Sequence, residues 1–117
     1  MQGSNCCHAM KNRAMVVALG CALAAGPAWA ADAAAGRAKA AQCAACHGPN
    51  GIATLPTAPN LAGQNATYLV KALRDYKSGA RKDEMMSLMA AGLSDADIED
   101  LAAYYSGIEI TVKRPAS

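Results

Sequence analysis

The sequence has 117 residues, 53% of them apolar and 17% charged, with no Phe and a formal net charge of +2. That length accommodates one domain rather than two, the apolar fraction excludes a disordered chain, and the charge is too small for a nucleic-acid or membrane-surface binder that works through net charge. Only 4% of the residues are aromatic, so the apolar content is mostly alanine and supplies little bulk for a core.

The first thirty residues account for part of the apolar excess. Lys11 and Arg13 precede an uncharged apolar stretch, Ala14 to Ala25, and Ala28-Trp29-Ala30 is a small-x-small cleavage site. This is the pattern of a secretory signal peptide over residues 1–30, cleaved between Ala30 and Ala31. The apolar stretch is far short of the ~20 residues that span a bilayer, so no stable membrane insertion is expected after cleavage. Ala18-Leu19-Gly20-Cys21 is a loose lipobox, but the better cleavage site lies downstream of it. Translation starts at Met1 or Met10, and Cys6-Cys7-His8, which resembles a metal cluster, is lost with the leader. The chain from Ala31 onward carries nine basic and nine acidic residues and is formally neutral. A domain is expected over residues 31–107, with a C-terminal tail over 108–117.

A first helix is predicted from about Ala33 to Ala45, because the stretch is rich in alanine. Gly36 inside it costs about 1 kcal/mol and needs a packing reason. The helix leads into Cys43-Ala44-Ala45-Cys46-His47. A thioredoxin-like redox pair would need a βαβ context, and no strand pattern surrounds this one. A zinc site needs four ligands, and two Cys with one His fall short. The remaining reading is covalent attachment of haem (heme c), for which C-x-x-C-H is the signature. Two thiols three positions apart on one helical turn reach both vinyl groups, and His47 then offers its imidazole to the iron. Attachment outside the cytoplasm agrees with an export leader.

Gly48, Pro49, Gly51, Pro56, Pro59 and Gly63 break the segment 48–66, which is read as a loop around the haem edge. A middle helix follows from about Ala66 to Ser78, with Asn65 as N-cap and Gly79 as its stop. Tyr68, Leu69, Ala72, Leu73 and Tyr76 recur at helical spacing as its buried face. Met85, Met86 and Met89 fall within five residues, on a short helix or turn ending at Ala91, and no other Met follows the leader. His47 is the only His after the leader, so a sixth iron ligand must be Met, Lys or nothing. Clustered Met are often core filler, but this run is read as supplying one thioether to iron, with the others packed nearby. His/Met ligation raises the reduction potential and suits electron transfer. The last helix is capped by Ser94, with Asp95 and Asp97 in its first turn. Its apolar stripe is Ile98, Leu101, Ala102 and Tyr105, and Gly107 ends it. The tail alternates Ile108, Ile110 and Val112 but has no strand to pair with and is expected to be loose.

Charge is unevenly distributed along this neutral chain. Residues 67–82 carry a net +4, whereas residues 83–109 carry seven acids and no base. Two readings stand: solvated helix faces, or a dipole that orients the protein on a redox partner.

The chain resembles the class I c-type cytochromes, in particular one half of the dihaem cytochrome c-four group and related small monohaem bacterial cytochromes. The resemblance runs from Ala33 to Gly107 and is carried by AAAGRAKAAQCAACHGPNG and by PNLAGQNATYLVKALRDYKSGARKDEMMSLMAAGLSDADIEDLAAYYSG. It implies an all-α cytochrome c fold, with three main helices and a short Met-bearing segment around one covalently bound haem. It implies Cys43 and Cys46 as the attachment points and His47 and Met86 as the iron ligands, Met86 lying seven residues before Leu93; Met85 and Met89 are the alternatives. It also implies that the Pro59 carbonyl accepts the Nδ1 proton of His47 and that Gly36 marks a close crossing of the first and last helices. The family often has a Pro shortly before the ligand Met, where this chain has Asp83-Glu84-Met85.

Together these readings give a periplasmic single-electron carrier rather than an enzyme. It would be a monomer that exchanges electrons with redox partner proteins: a membrane oxidase or reductase, or a periplasmic dehydrogenase. A fixed electron-transfer subunit of such a dehydrogenase, and a gas-binding haem protein with a labile sixth position, are the alternatives. Since the haem would replace the missing core bulk, the apoprotein is expected to be largely unfolded. Circular dichroism showing near-native helicity without the cofactor would contradict this.

Overall fold

A computed structural model of the chain describes residues 30–115; the signal-peptide reading, cleavage site included, falls on residues 1–30 and lies almost wholly outside them. The described residues form helices and loops with no strand. Asp32 caps α1 (Ala33–Lys39), its Oδ1 accepting from the Ala34 and Ala35 amides at 2.8 and 3.3 Å. The single helix predicted over 33–45 is interrupted: a 3-10 turn, Ala40–Gln42, separates α1 from α2 (Ala44–His47). Nothing in a run of alanines marks the change, because propensity is uniform there. The tighter turn advances the winding by about 60° over three residues relative to an α-helix. Ala40 is buried in the core and Cys43 packs against it.

The other helices match their predicted spans closely. In α3 (Ala66–Ser78) the Asn65 side chain caps the Tyr68 amide at 3.1 Å, and Gly79 stops the helix in the left-handed region. In α4 (Glu84–Ala91) Asp83 Oδ1 accepts from the Met85 and Met86 amides at 3.1 and 2.8 Å. In α5 (Asp95–Ser106) Ser94 and Asp97 form a reciprocal capping box, with bonds of 3.1 and 2.8 Å. The predicted stripe Ile98, Leu101, Ala102 and Tyr105 is buried, and Ile98 and Leu101 are the largest fully buried side chains. On α3, Leu69 is buried and Val70 and Leu73 pack on the core. Tyr68, expected on the buried face, is instead 49% exposed. It lies at the edge of the Leu69–Leu73 stripe, where its hydroxyl accepts from Arg81 at 3.5 Å.

The packing is organised by α5, which α1 and α3 both contact, while α4 packs on α3. At the α1–α5 crossing a Cβ on Gly36 would lie 2.0 Å from the Asp100 carbonyl oxygen and 2.9 Å from Tyr104 Cβ. The helices therefore touch backbone to backbone, which only glycine permits. The Asp32 amide donates to Asp100 Oδ1 at 2.7 Å, and Lys39 pairs with Asp97 at 2.5 Å. Between α3 and α5, Arg74 pairs with Glu99 at 2.8 Å and Lys77 with Asp95 at 3.3 Å. After α5, residues 108–115 have no regular structure, with Ile110 beside Gly63.

Two predictions follow from the crossing. Gly36→Ala should destabilise the fold by about 3 kcal/mol, the upper range for overpacking, and denaturant unfolding measures it. The Asp97 carboxyl is held at about 2, below its ordinary 3.8, first by its hydrogen bond to Lys39 and then by Ser94. The unfolded chain therefore takes up this proton first as pH falls. The stability Asp97 contributes is complete above pH ~4 and is lost as pH falls from ~4 towards ~2. Asp97→Asn should flatten that part of the acid-unfolding curve.

Candidate functional site

The site is built on one helical turn and the loop that folds over it. Cys43 precedes α2, and the Cys46 and His47 amides donate back to its carbonyl at 3.3 and 3.0 Å. The i, i+3 spacing puts both thiols on one face of the turn. Neither cysteine is in a disulfide, and each is half-buried. His47 is 6% exposed, the one buried polar side chain among the described residues.

Gly48 ends the turn with φ +77°, and a Cβ there would lie 1.8 Å from the Ile52 carbonyl oxygen. The chain can reverse at this point only through a glycine. The loop then closes on itself: the Leu61 and Ala62 amides donate to the Gly51 carbonyl at 2.7 and 3.0 Å. Closure carries the Pro59 carbonyl to 2.8 Å from His47 Nδ1. A carbonyl can only accept, so Nδ1 carries the proton and, in the neutral ring, Nε2 keeps its lone pair. The result is two thiols on one face, followed by an imidazole held in a single tautomer with one nitrogen free to ligate.

The other candidate residues sit on α4. Met85 is 56% exposed, whereas Met86 and Met89 are half-buried. Met89 lines an open depression with Lys39, Gln42 and Leu93, on the side where α4 faces the 3-10 turn. Thus Cys43, Cys46, His47 and Pro59 form one cluster, and the three Met differ in environment. No group of three or more His, Cys, Asp or Glu side chains among the described residues is placed to form a metal cage.

Sequence reasoning placed Tyr105 in the core but missed its place at the site. Its hydroxyl reaches the Cys43 thiol, and its ring edge lies 3.0 Å from the position of a Cβ on Gly51. Burial pushes the Cys43 thiol up, and burial together with Cys43 pushes the Tyr105 hydroxyl well up. Thr54 was also missed: its hydroxyl donates to the Ala45 carbonyl at 3.3 Å. No periodic signal marks either role, since Tyr105 depends on how distant helices pack and Thr54 on how the loop closes.

Comparison with known proteins agrees with this geometry. A profile of the cytochrome c family matches residues 33–107. Cytochrome c-554(548) of Halomonas halodenitrificans is 52% identical over 83 residues, covering 68% of this chain and all of that protein. A thiosulfate dehydrogenase electron acceptor of Thiomonas intermedia is 46% identical over 85 residues, covering 69% of this chain and 39% of that protein. The crystal structure of reduced recombinant cytochrome c4 from Pseudomonas stutzeri superposes with a TM-score of 0.66 and 44% identity, covering 71% of this chain and 48% of that one. This chain spans the whole of the Halomonas protein but less than half of the other two. It belongs to the cytochrome c family, with the fold of the class I c-type cytochromes and the covalently bound haem c that the family implies.

Proposed function

We propose that this chain is a periplasmic single-electron carrier with one His/Met-ligated c-type haem. The observation that carries the reading is the cluster itself: two half-buried cysteines on one turn, next to a buried His whose Nδ1 is bonded to Pro59 at 2.8 Å. These residues fit the group. Cys43 and Cys46 would hold it through thioethers, and His47 Nε2 and the Met86 thioether would ligate the iron. Half-burial of Met86 supports it over the exposed Met85, and Met89, half-buried as well, is the alternative.

When bound, the haem supplies a one-electron couple whose potential is raised by Met ligation. The protein holds the ligands in place around that couple. The Pro59 carbonyl fixes the ring and tautomer of His47, so the imidazole does not reorient when the charge on its partner changes. Asp83 caps the amides of Met85 and Met86, which fixes the start of the Met helix. The export leader expected over residues 1–30 agrees with a periplasmic location. No described helix is long and apolar enough to cross a membrane.

The redox partners expected are a membrane oxidase or reductase, or a periplasmic dehydrogenase. The Thiomonas relative is named as an electron acceptor for thiosulfate dehydrogenase, which favours a dehydrogenase as donor and keeps a fixed-subunit role as the second reading. A redox titration followed by optical spectra tests haem, ligation and role together. The red absorption band of a ferric Met–iron bond is expected. Its absence at neutral pH, with rapid carbon monoxide or cyanide binding, would support the gas-binding alternative instead. Met86→Ala should lower the potential by on the order of 0.1 V, within the ~0.8 V range that axial ligation commands, and open the iron to exogenous ligands. If Met89→Ala does this and Met86→Ala does not, the ligand is Met89.

A further inference from the structure

The carbonyl that holds His47 belongs to the peptide unit joining Pro59 to Asn60, so its orientation depends on what fixes Asn60. Pro59 has no N–H and cannot anchor itself by donating. The Asn60 side chain spans the loop instead, its Oδ1 accepting the Ala53 amide at 2.8 Å. The facing limb is tied to the turn that bears His47: the Thr54 amide donates to the Cys46 carbonyl at 3.2 Å. The two limbs of the loop are thus pinned to each other beside the Pro59 carbonyl, and one of them is pinned to the motif. Asn60 is exposed and lies outside the core cluster, so its side chain contributes a bridge rather than packing.

We infer that Asn60 is a positioning residue for His47. By accepting the Ala53 amide it holds the Pro59 carbonyl on Nδ1 and so strengthens the imidazole as an electron donor at Nε2. A hydrogen bond from the distal nitrogen of a ligating His raises its basicity, which favours oxidised iron. Loosening the bridge therefore raises the reduction potential. The inference rests on His47 being an axial haem ligand.

The test compares Asn60→Ala and Asn60→Asp with the wild-type holoprotein. Aspartate keeps an acceptor at the Oδ1 position, and alanine removes it. One readout is the reduction potential; the other is solvent exchange of the His47 Nδ1 proton, followed by NMR in the reduced protein. Asn60→Ala should raise the potential and speed exchange about fivefold, the effect of losing one ordinary hydrogen bond, with the Met–iron band retained. Asn60→Asp should restore wild-type exchange; the exchange rate is decisive for this variant because its added charge itself lowers the potential. If Asn60→Ala fails to load haem, Asn60→Ser, whose hydroxyl is too short to reach Ala53, carries the same expectation. Exchange unchanged in Asn60→Ala, whether or not the potential moves, overturns the inference. If the wild-type protein itself shows no His ligation by spectroscopy, the axial reading of His47 fails first and this inference falls with it, whatever Asn60 does.

Discussion

The contact of the first helix with the last places the turn that carries Cys43, Cys46 and His47. Along α1, Asp32, Gly36 and Lys39 recur at helical spacing, and each meets α5: Asp32 and Gly36 at Asp100, Lys39 at Asp97. The crossing is thereby held at both ends and in the middle, with no side chain between the backbones at its centre. The haem-motif turn follows α1 after one 3-10 turn, so its position relative to α5 is inherited from the crossing. Tyr105 lies one residue beyond the Tyr104 that packs over Gly36. This explains how one helix both seals the crossing and reaches the Cys43 thiol.

On this frame the site divides its tasks between a rigid part and an adjustable one. The helical turn fixes the spacing of Cys43, Cys46 and His47 through local backbone bonds, which few side chains influence. The loop decides how His47 is oriented, and it does so with bonds between distant positions: Gly51 to Leu61 and Ala62, Ala53 to Asn60, Pro59 to His47. The protein core is correspondingly light. Its fully buried large side chains are Ile98 and Leu101, which agrees with a fold that relies on a flat apolar cofactor for bulk.

Much of this was legible in the sequence because it depends on local chemistry. Asn65, Ser94 and Gly79 act where their capping and stop signals place them, and the α5 stripe is buried as its spacing predicts. The C-x-x-C-H spacing pointed to one turn, and the resemblance to class I cytochromes supplied the Pro59 carbonyl and the reason for Gly36. Other features were not legible. The break at Ala40–Gln42 lies in an alanine run whose propensity is the same on either side, and burial of Ala40 accompanies the tighter turn. Tyr68 fits a helical stripe by period, but its neighbour Arg81 returns to it only because Gly79 turns the chain. Tyr105 reaches the site through the helix crossing, and Thr54 and Asn60 through loop closure, neither of which any window of sequence contains.

The pairing of Arg74 with Glu99 and Lys77 with Asp95 has a consequence for how the molecule is seen from a distance. In linear order the charges form a basic block and an acidic block; in space α3 and α5 lie side by side and interleave them. Lys71 pairs with Asp75 within α3, and Arg81-Lys82 is followed at once by Asp83-Glu84. Charges that alternate over a few ångströms give a field that cancels within roughly one Debye length, about 10 Å at 0.1 M salt. An approaching protein would then feel no strong pull from afar and no sign preference, and its orientation would be chosen late, by the shape and apolar character of the surface it touches.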